Sequence, residues 1–324
     1  MSSASSIGAS VTAPAPRGPG STVPLRIRNA SRGAGWKRRL PLLPVMLVII
    51  LITQLPFLFT IYYSLTSWNL LTNSRRTFVW FANYSKIFSD TAFRDAAWNT
   101  VVITLGSVLL SFIVGLLLAL LVNREFMGRG VVRTLMITPF LILPAATALL
   151  WKTAMLNASF GVINFLLKPF GVSQIDWVTH FPKLSVIVTL SWQWTPFFML
   201  ILLAGLQGED PQIIEAAKVD GANGLKIFRY MTITHLRPYA ELGIFLGTIY
   251  ILQSFDAVYL MTQGGPGGRT TTLPYYLYLR AFRGFEIGEA AALAVVVLIA
   301  TIVLATIVLK VASGLLADAD GKKK

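Results

Sequence analysis

Six apolar stretches recur along the 324-residue chain, at residues 40–65, 98–122, 134–153, 184–206, 239–262 and 289–310. Each is long enough to cross about 30 Å of hydrocarbon, which takes roughly 20 residues of helix. Each is therefore read as a membrane span, giving an all-α integral membrane protein with six transmembrane helices. Residues 1–36 are rich in Ser, Ala, Gly and Pro, and no acidic residue occurs before position 37. Without apolar periodicity they cannot offset the cost of ordering a chain, so they are expected to form a disordered basic tail. The span domain then covers residues 37–312, and residues 313–324 form a short second tail. Lys37, Arg38 and Arg39 before the first apolar run resemble the start of a signal peptide, but the run is too long and no small-residue cleavage site follows. It is read as a retained first span.

Composition supports the membrane reading. Hydrophobic residues make up 55% and charged residues 13%, against roughly 25% charged in a soluble domain. The net charge of +14 does not indicate a nucleic-acid binder, because the Lys and Arg fall between apolar runs rather than on one polar surface. Their placement instead sets orientation. Seven lie in the N-terminal tail. Arg124, Arg129 and Arg133 follow the second span, Lys218, Lys226, Arg229 and Arg237 follow the fourth, and Lys310, Lys322, Lys323 and Lys324 close the chain. That puts 18 of 28 on one side and predicts two cytoplasmic termini. With Cys 0, disulfides, thiolate nucleophiles and Cys-ligated metals are excluded, and two His residues, His180 and His235, cannot build a His-rich metal site.

The loop after the fourth span, residues 207–238, carries the most specific signals. Asp210 followed by Pro211 is a helix start, with a capping acceptor and Pro at the first helical position. A short helix over residues 211–220 should end at Gly221, where a left-handed residue is wanted. A second short helix over 225–232 then leads into the fifth span. Two spans would hold this helix–turn–helix as a knob presenting the small residues Ala216 and Ala217 to another protein. An ordered inter-span loop without a partner is the alternative.

Glu215-Ala216-Ala217 with Gly221 resembles the EAA motif of ABC importer permeases, whose loop docks in a cleft of the ATP-binding subunit. Glu215, Ala216, Ala217, Asp220 and Gly221 are the coupling residues this implies. The family pattern ends Ile-x-Leu-Pro, where this chain has Met231, Ile233 and Thr234, with Pro238 one turn later. A second stretch narrows the resemblance. Thr262-Gln263-Gly264-Gly265-Pro266, then Thr270 to Thr272, Leu273, Tyr276, Tyr278, Ala281 and Phe282, resembles the corresponding segment of carbohydrate permeases of the MalF type. The segment from Phe78 to Phe88 resembles their short outer segment. Ile175-Asp176-Trp177, Pro182 and Trp192-Gln193-Trp194 look most like permeases for sugar alcohols.

The resemblance implies partners. No Gly-x-x-x-x-Gly-Lys-[Ser/Thr] occurs, so nucleotide phosphates have no P-loop here. ATP and Mg would bind a separate ATPase subunit, leaving this chain without cofactor or enzymatic activity of its own. The implied assembly is a heterodimer with a second homologous permease, two ATP-binding subunits and an extracytoplasmic substrate-binding protein, in the cell membrane. Cargo is expected near the midplane, as in transporters generally. The fourth span offers Gln193, Trp194 and Phe197. The fifth offers Tyr250, Gln253 and Ser254, whose i, i+3, i+4 spacing would share one helix face. Amides and hydroxyls beside aromatic rings suit a polyhydroxyl solute, and the absence of Lys or Arg from both span middles points to a neutral sugar or polyol. Trp also anchors spans at the interface, and Gln also bonds across helices, so a structural role stands beside each. Asp256 is placed near the outer end of its span, as a functional acid or one neutralised by snorkelling or an ion pair. A secondary transporter or channel working without an ATPase, and an ABC permease for amino acids or peptides, are the competing functions.

Overall fold

The computed structural model describes residues 43–72 and 76–319, with side chains to residue 314. The expected N-terminal tail and the first residues of the first span lie outside this range. The chain divides into two units, with the boundary after Gln54. Helix α1 (Leu43–Ser64) begins in the first, where Thr53 Oγ1 donates to the Ile49 carbonyl at 2.7 Å.

In the second unit, α1 ends at buried Ser64, whose hydroxyl lies 2.8 Å from that of Tyr84. Two short strands follow, β1 (Thr66–Ser67) and β2 (Thr77–Phe78), antiparallel with Thr66 opposite Phe78. Helix α2 (Ala82–Ser89) carries buried Asn83, which donates to the carbonyls of Ser64 and Thr66. Asp90 then caps α3 (Thr91–Asn123) by accepting from the Ala92 N–H.

The remaining helices are α4 (Arg129–Leu141), α5 (Pro144–Leu150, extended by a wider turn to Met155), α6 (Val162–Leu167), α7 (Trp177–His180), α8 (Pro182–Gln207), α9 (Pro211–Val219), α10 (Gly224–Ile227), α11 (Ile233–Leu252), α12 (Leu273–Tyr278) and α13 (Ile287–Ala319). The centre of the unit is the packing of α3, α8 and α11 on Phe198, which is 1% exposed. A Cβ on Gly115 of α3 would come within 2.8 Å of Phe198 Cβ, and one on Gly247 of α11 within 2.4 Å of its ring. Small residues let membrane helices approach closely, and hydroxyls bond across them. Ser191 Oγ donates to the Ser107 carbonyl at 3.3 Å, and Ser111 Oγ to the Ser191 carbonyl at 3.4 Å. Gly106 meets Ile187 while Gly115 meets Phe198, so α3 and α8 run parallel; Gly205 meets Leu236 and Gly247 meets Phe198, so α11 runs antiparallel to them.

By length and apolarity, α1, α3, α8 and α13 each suffice to cross a membrane, and α4 with α5 makes a fifth, bent candidate. Two expected spans are corrected. The window at 134–153 is not one helix: α4 and α5 meet at a 98° bend. Pro144 disfavours the helical region for the residue before it, and Ile142 and Leu143 are extended at ψ 137° and 135°. The window at 239–262 starts earlier, at Ile233, and stops at Leu252; a separate short helix resumes over residues 256–262. The first half of α11 also carries Arg237 and Glu241, paired at 2.8 Å.

Where α3 begins, charges converge from several elements. Arg280 pairs with Asp90 at 2.5 Å and Glu286 at 2.8 Å, and Lys86 pairs with Glu289. The Tyr276 hydroxyl donates to Asp90 at 2.5 Å. That bond, with the Ala92 N–H and Arg280, holds the Asp90 carboxyl below the usual carboxylate range.

Candidate functional site

Five of the six residues singled out for cargo line one cavity of about 210 Å³. They are Gln193 and Trp194 from α8 and Tyr250, Gln253 and Ser254 from the end of α11 and its exit. Pro144, Thr189, Leu190, Phe255, Asp256 and Ala257 complete its wall. The expected shared helix face is corrected, because α11 ends at Leu252 and Gln253 is already its cap. The three residues reach the same cavity through a turn, in which the Ser254 N–H donates to the Ile251 carbonyl at 3.0 Å.

Each polar residue has a definite setting. Gln193 is 6% exposed, and its Nε2 donates to the Ile142 carbonyl at 3.2 Å, in the bend between α4 and α5. Trp194 stacks on Tyr250, centroids 5.5 Å apart and planes 18° apart. Phe197 does not line the cavity; it stands behind Trp194 at 5.6 Å and stacks on Phe140 at 5.9 Å. Asp256 opens the short helix at 256–262 and has no ion pair among the described residues. A second cavity, about 490 Å³, shares Gln253 and Phe255 with the first and extends along Tyr278 and Phe282. Among the described residues no three His, Asp or Glu converge as metal ligands would.

Sequence reasoning did not place Thr189 or Phe255 at the site, nor did it find the bond from Gln193 to the Ile142 carbonyl. Pro144 was the available signal for that bond. Nothing at 253–256 marks the break that brings in Phe255 and Asp256, since neither Gly nor Pro occurs there.

The Gly-Gly-Pro segment is pinned to α3. Gly264 and Gly265 have φ of 89° and 74°, and a Cβ on either would lie 2.7 Å from a Thr hydroxyl. Asn99 Nδ2 donates to the carbonyls of Gly268 and Thr271, and the Leu273 N–H donates to Thr100 Oγ1.

The hairpin at 210–232 forms as its local signals require. Asp210 accepts from the Gln212 N–H, and Asn223 caps α10 through the Lys226 N–H. Gly221 has φ +81°, with Ala222 N–H donating to the Ala217 carbonyl and Gly221 N–H to the Lys218 carbonyl. This is the paired closure of a left-handed helix end. Glu215, Ala216 and Asp220 are exposed, but Ala217 is buried at 4%. Its expected exposure is corrected: neighbours on a helix diverge by about 100°, and the side of α9 that carries Ala217 is the one turned inward. Apolar Val219 and Leu225 are 88% and 75% exposed. The second helix starts at Gly224 and passes without interruption through a wide turn at Phe228–Thr232 into α11. Thr232 Oγ1 donates to Glu209 at 3.0 Å, and His235 Nε2 lies 3.0 Å from the Gly205 carbonyl, tying both ends of the hairpin together.

Comparison with known proteins follows this geometry. Residues 111–317 match the family described as "Binding-protein-dependent transport system inner membrane component". The chain is 39% identical over 78% of its length to the probable ABC transporter permease protein y4oQ of Sinorhizobium fredii, covering 82% of it. It is 35% identical over 83% of its length to the trehalose/maltose permease MalF of Thermococcus litoralis, covering 88%. It is 35% identical over 79% to the sulfoquinovosyl glycerol permease SmoG of Agrobacterium fabrum, covering 83%. In fold it is similar to a chain of a bacterial ABC transporter that imports the polysaccharide alginate, with TM-score 0.70, 22% identity, and coverage of 88% and 96% of the two chains.

Proposed function

Since the chain belongs to the family of binding-protein-dependent inner-membrane transport components, we propose that it is the permease subunit of an ATP-driven importer for a neutral carbohydrate, a sugar or sugar alcohol. The observation that carries the cargo class is the cavity lined by Gln193, Trp194, Tyr250, Gln253 and Ser254. Amide and hydroxyl groups supply donors and acceptors for sugar hydroxyls, while the stacked Trp194 and Tyr250 rings offer faces to C–H surfaces. The one acidic side chain on the wall, among the described residues, is Asp256, whose carboxyl oxygens can accept from hydroxyls.

The cavity is smaller than the roughly 300–1,000 Å³ of most small-molecule sites. A second homologous permease supplies the rest of the enclosure in this reading, and α11, fifth in chain order, completes the set of six spans. The hairpin, with Glu215, Ala216, Asp220 and Gly221 toward the partner and Ala217 as its internal support, docks an ATP-binding subunit at a cytoplasmic face. Two such subunits carry ATP and Mg, and an external binding protein delivers cargo. The Lys and Arg distribution supports a cytoplasmic location for both termini.

Uptake by reconstituted complex tests the cargo class. Neutral sugars or polyols should be transported, and hexuronates and sugar phosphates of similar size should not. Preferential uptake of the anionic solutes would overturn it.

A further inference from the structure

The side chain that faces the cavity from α8 also holds the bend in the third span. Gln193 Nε2 donates to the Ile142 carbonyl at 3.2 Å, and Ile142 is extended, outside the ladder of either flanking helix. Phe140, two residues earlier, packs on Trp194 at 5.5 Å and on Phe197 at 5.9 Å. Pro144, two residues later, lines the cavity itself. The bend is thus clamped to the cavity wall at three successive points. Beyond it, Thr147 Oγ1 and Trp151 Nε1 of α5 and its extension are buried without hydrogen-bond partners, so the polar face of α5 is not satisfied by its present packing.

We propose that Gln193 is a positioning residue, a latch that senses cargo and reports it to α5. The inference rests on the neutral-carbohydrate reading above. A hydroxyl both accepts and donates, so a sugar hydroxyl can accept from Gln193 Nε2 while donating to the Ile142 carbonyl. Two hydrogen bonds of about 2.8 Å in place of one widen that separation from 3.2 Å to about 5 Å, and the bend swings α5 away from α8. An apolar solute, or one that only accepts, cannot make this bridge. Occupancy of the cavity is in this way converted into movement of a helix that touches it only at Pro144.

The chain has no Cys, so spin labels at Leu135→Cys on α4 and Leu149→Cys on α5, both exposed, meet no competing thiol on this chain, and the unsubstituted chain in the same complex gives the background from the other subunits. Distances between them are read by pulsed electron resonance in the full transporter complex in lipid, with ATPase activity measured on the same samples. Gln193→Met keeps the volume and removes the donor. Without cargo it should shift the ratio of wide to narrow distances about two- to tenfold toward wide, the range expected for one lost hydrogen bond. Trehalose, maltose and sorbitol, each delivered by the binding protein, should include one that shifts the wild type the same way and leaves Gln193→Met unmoved. Phe140→Leu, which loosens the ring contacts alone, should give a smaller shift in the same direction. Identical cargo-free distributions in Gln193→Met and wild type overturn the latch, as does a cargo response that persists undiminished in Gln193→Met. Failure of the carbohydrate reading registers separately, as a wild-type ATPase that none of the sugars stimulates.

Discussion

The hairpin at residues 210–232 closes on itself within two dozen residues, whereas the cavity takes its wall from residues 144, 189–194 and 250–257. The hairpin's caps are bonds between near neighbours: the Asp210 and Asn223 side chains accept from the Gln212 and Lys226 N–H groups, and the Ala222 N–H donates to the Ala217 carbonyl. The cavity exists because two helices break and their loose ends converge on α8, with Phe198 packed between α8, α3 and α11 behind it. A part proposed to dock a partner can be built locally. A part that must change shape is assembled from distant pieces joined at bends.

The comparison breaks most severely at Phe198. Phe198→Ala removes a fully buried ring and should cost about 3–5 kcal/mol. Sugar-dependent quenching of Trp fluorescence should disappear, while protease protection of the hairpin persists; loss of both together would show that the two regions are not independent. Ala216→Arg comes next. A bulky cation in the centre of a docking surface should cost on the order of 2–4 kcal/mol, or about 30- to 1,000-fold in binding, read as loss of the ATPase subunit from purified complex with cargo quenching retained. Trp194→Ala should act on the cavity alone, raising KM for uptake about two- to tenfold for a lost aromatic contact of roughly 0.5–1.5 kcal/mol, with subunit assembly unchanged. Asp210→Ala should loosen only the first turn of α9, by about 1 kcal/mol, seen as faster hydrogen exchange there.

Acid sharpens the contrast least, because it acts on neither region directly. The Tyr276 hydroxyl, the Ala92 N–H and Arg280 hold Asp90 below its ordinary range. A carboxyl with a depressed folded-state pKa contributes stability above its unfolded value near 3.9, and loses it as pH falls through the lower folded value. Thermal stability should therefore drop as pH falls below about 4, with a smaller drop in Asp90→Asn.

The same contrast decides what could be read from the chain. Asp210-Pro211 and Gly221 are local signals, and they gave the hairpin its start and stop within a residue. Burial of Ala217 was missed because composition does not say which side of a short helix faces inward. Five cavity residues were found because amide, hydroxyl and ring types cluster near span middles, yet the breaks that unite them were not. Pro144 hinted at the first, but a hydropathy window averages over a bend. The second, at 253–255, has no local marker, and Gln253 and Ser254 were placed on a helix that ends at Leu252. Phe197 is spaced like a cavity residue on α8, but Phe140 and Trp194 occupy its faces.

The central claim is that sugar in the cavity and ATP hydrolysis on another subunit are linked through this chain. It is tested most directly by ATPase activity of the lipid-reconstituted complex, with its binding protein, across neutral sugars, polyols and glycerol phosphodiesters. The account predicts stimulation by a neutral sugar or polyol in wild type and none in Ala216→Arg. Uptake that continues without ATP, in a chain that recruits no ATPase, would contradict it and establish a self-sufficient transporter instead.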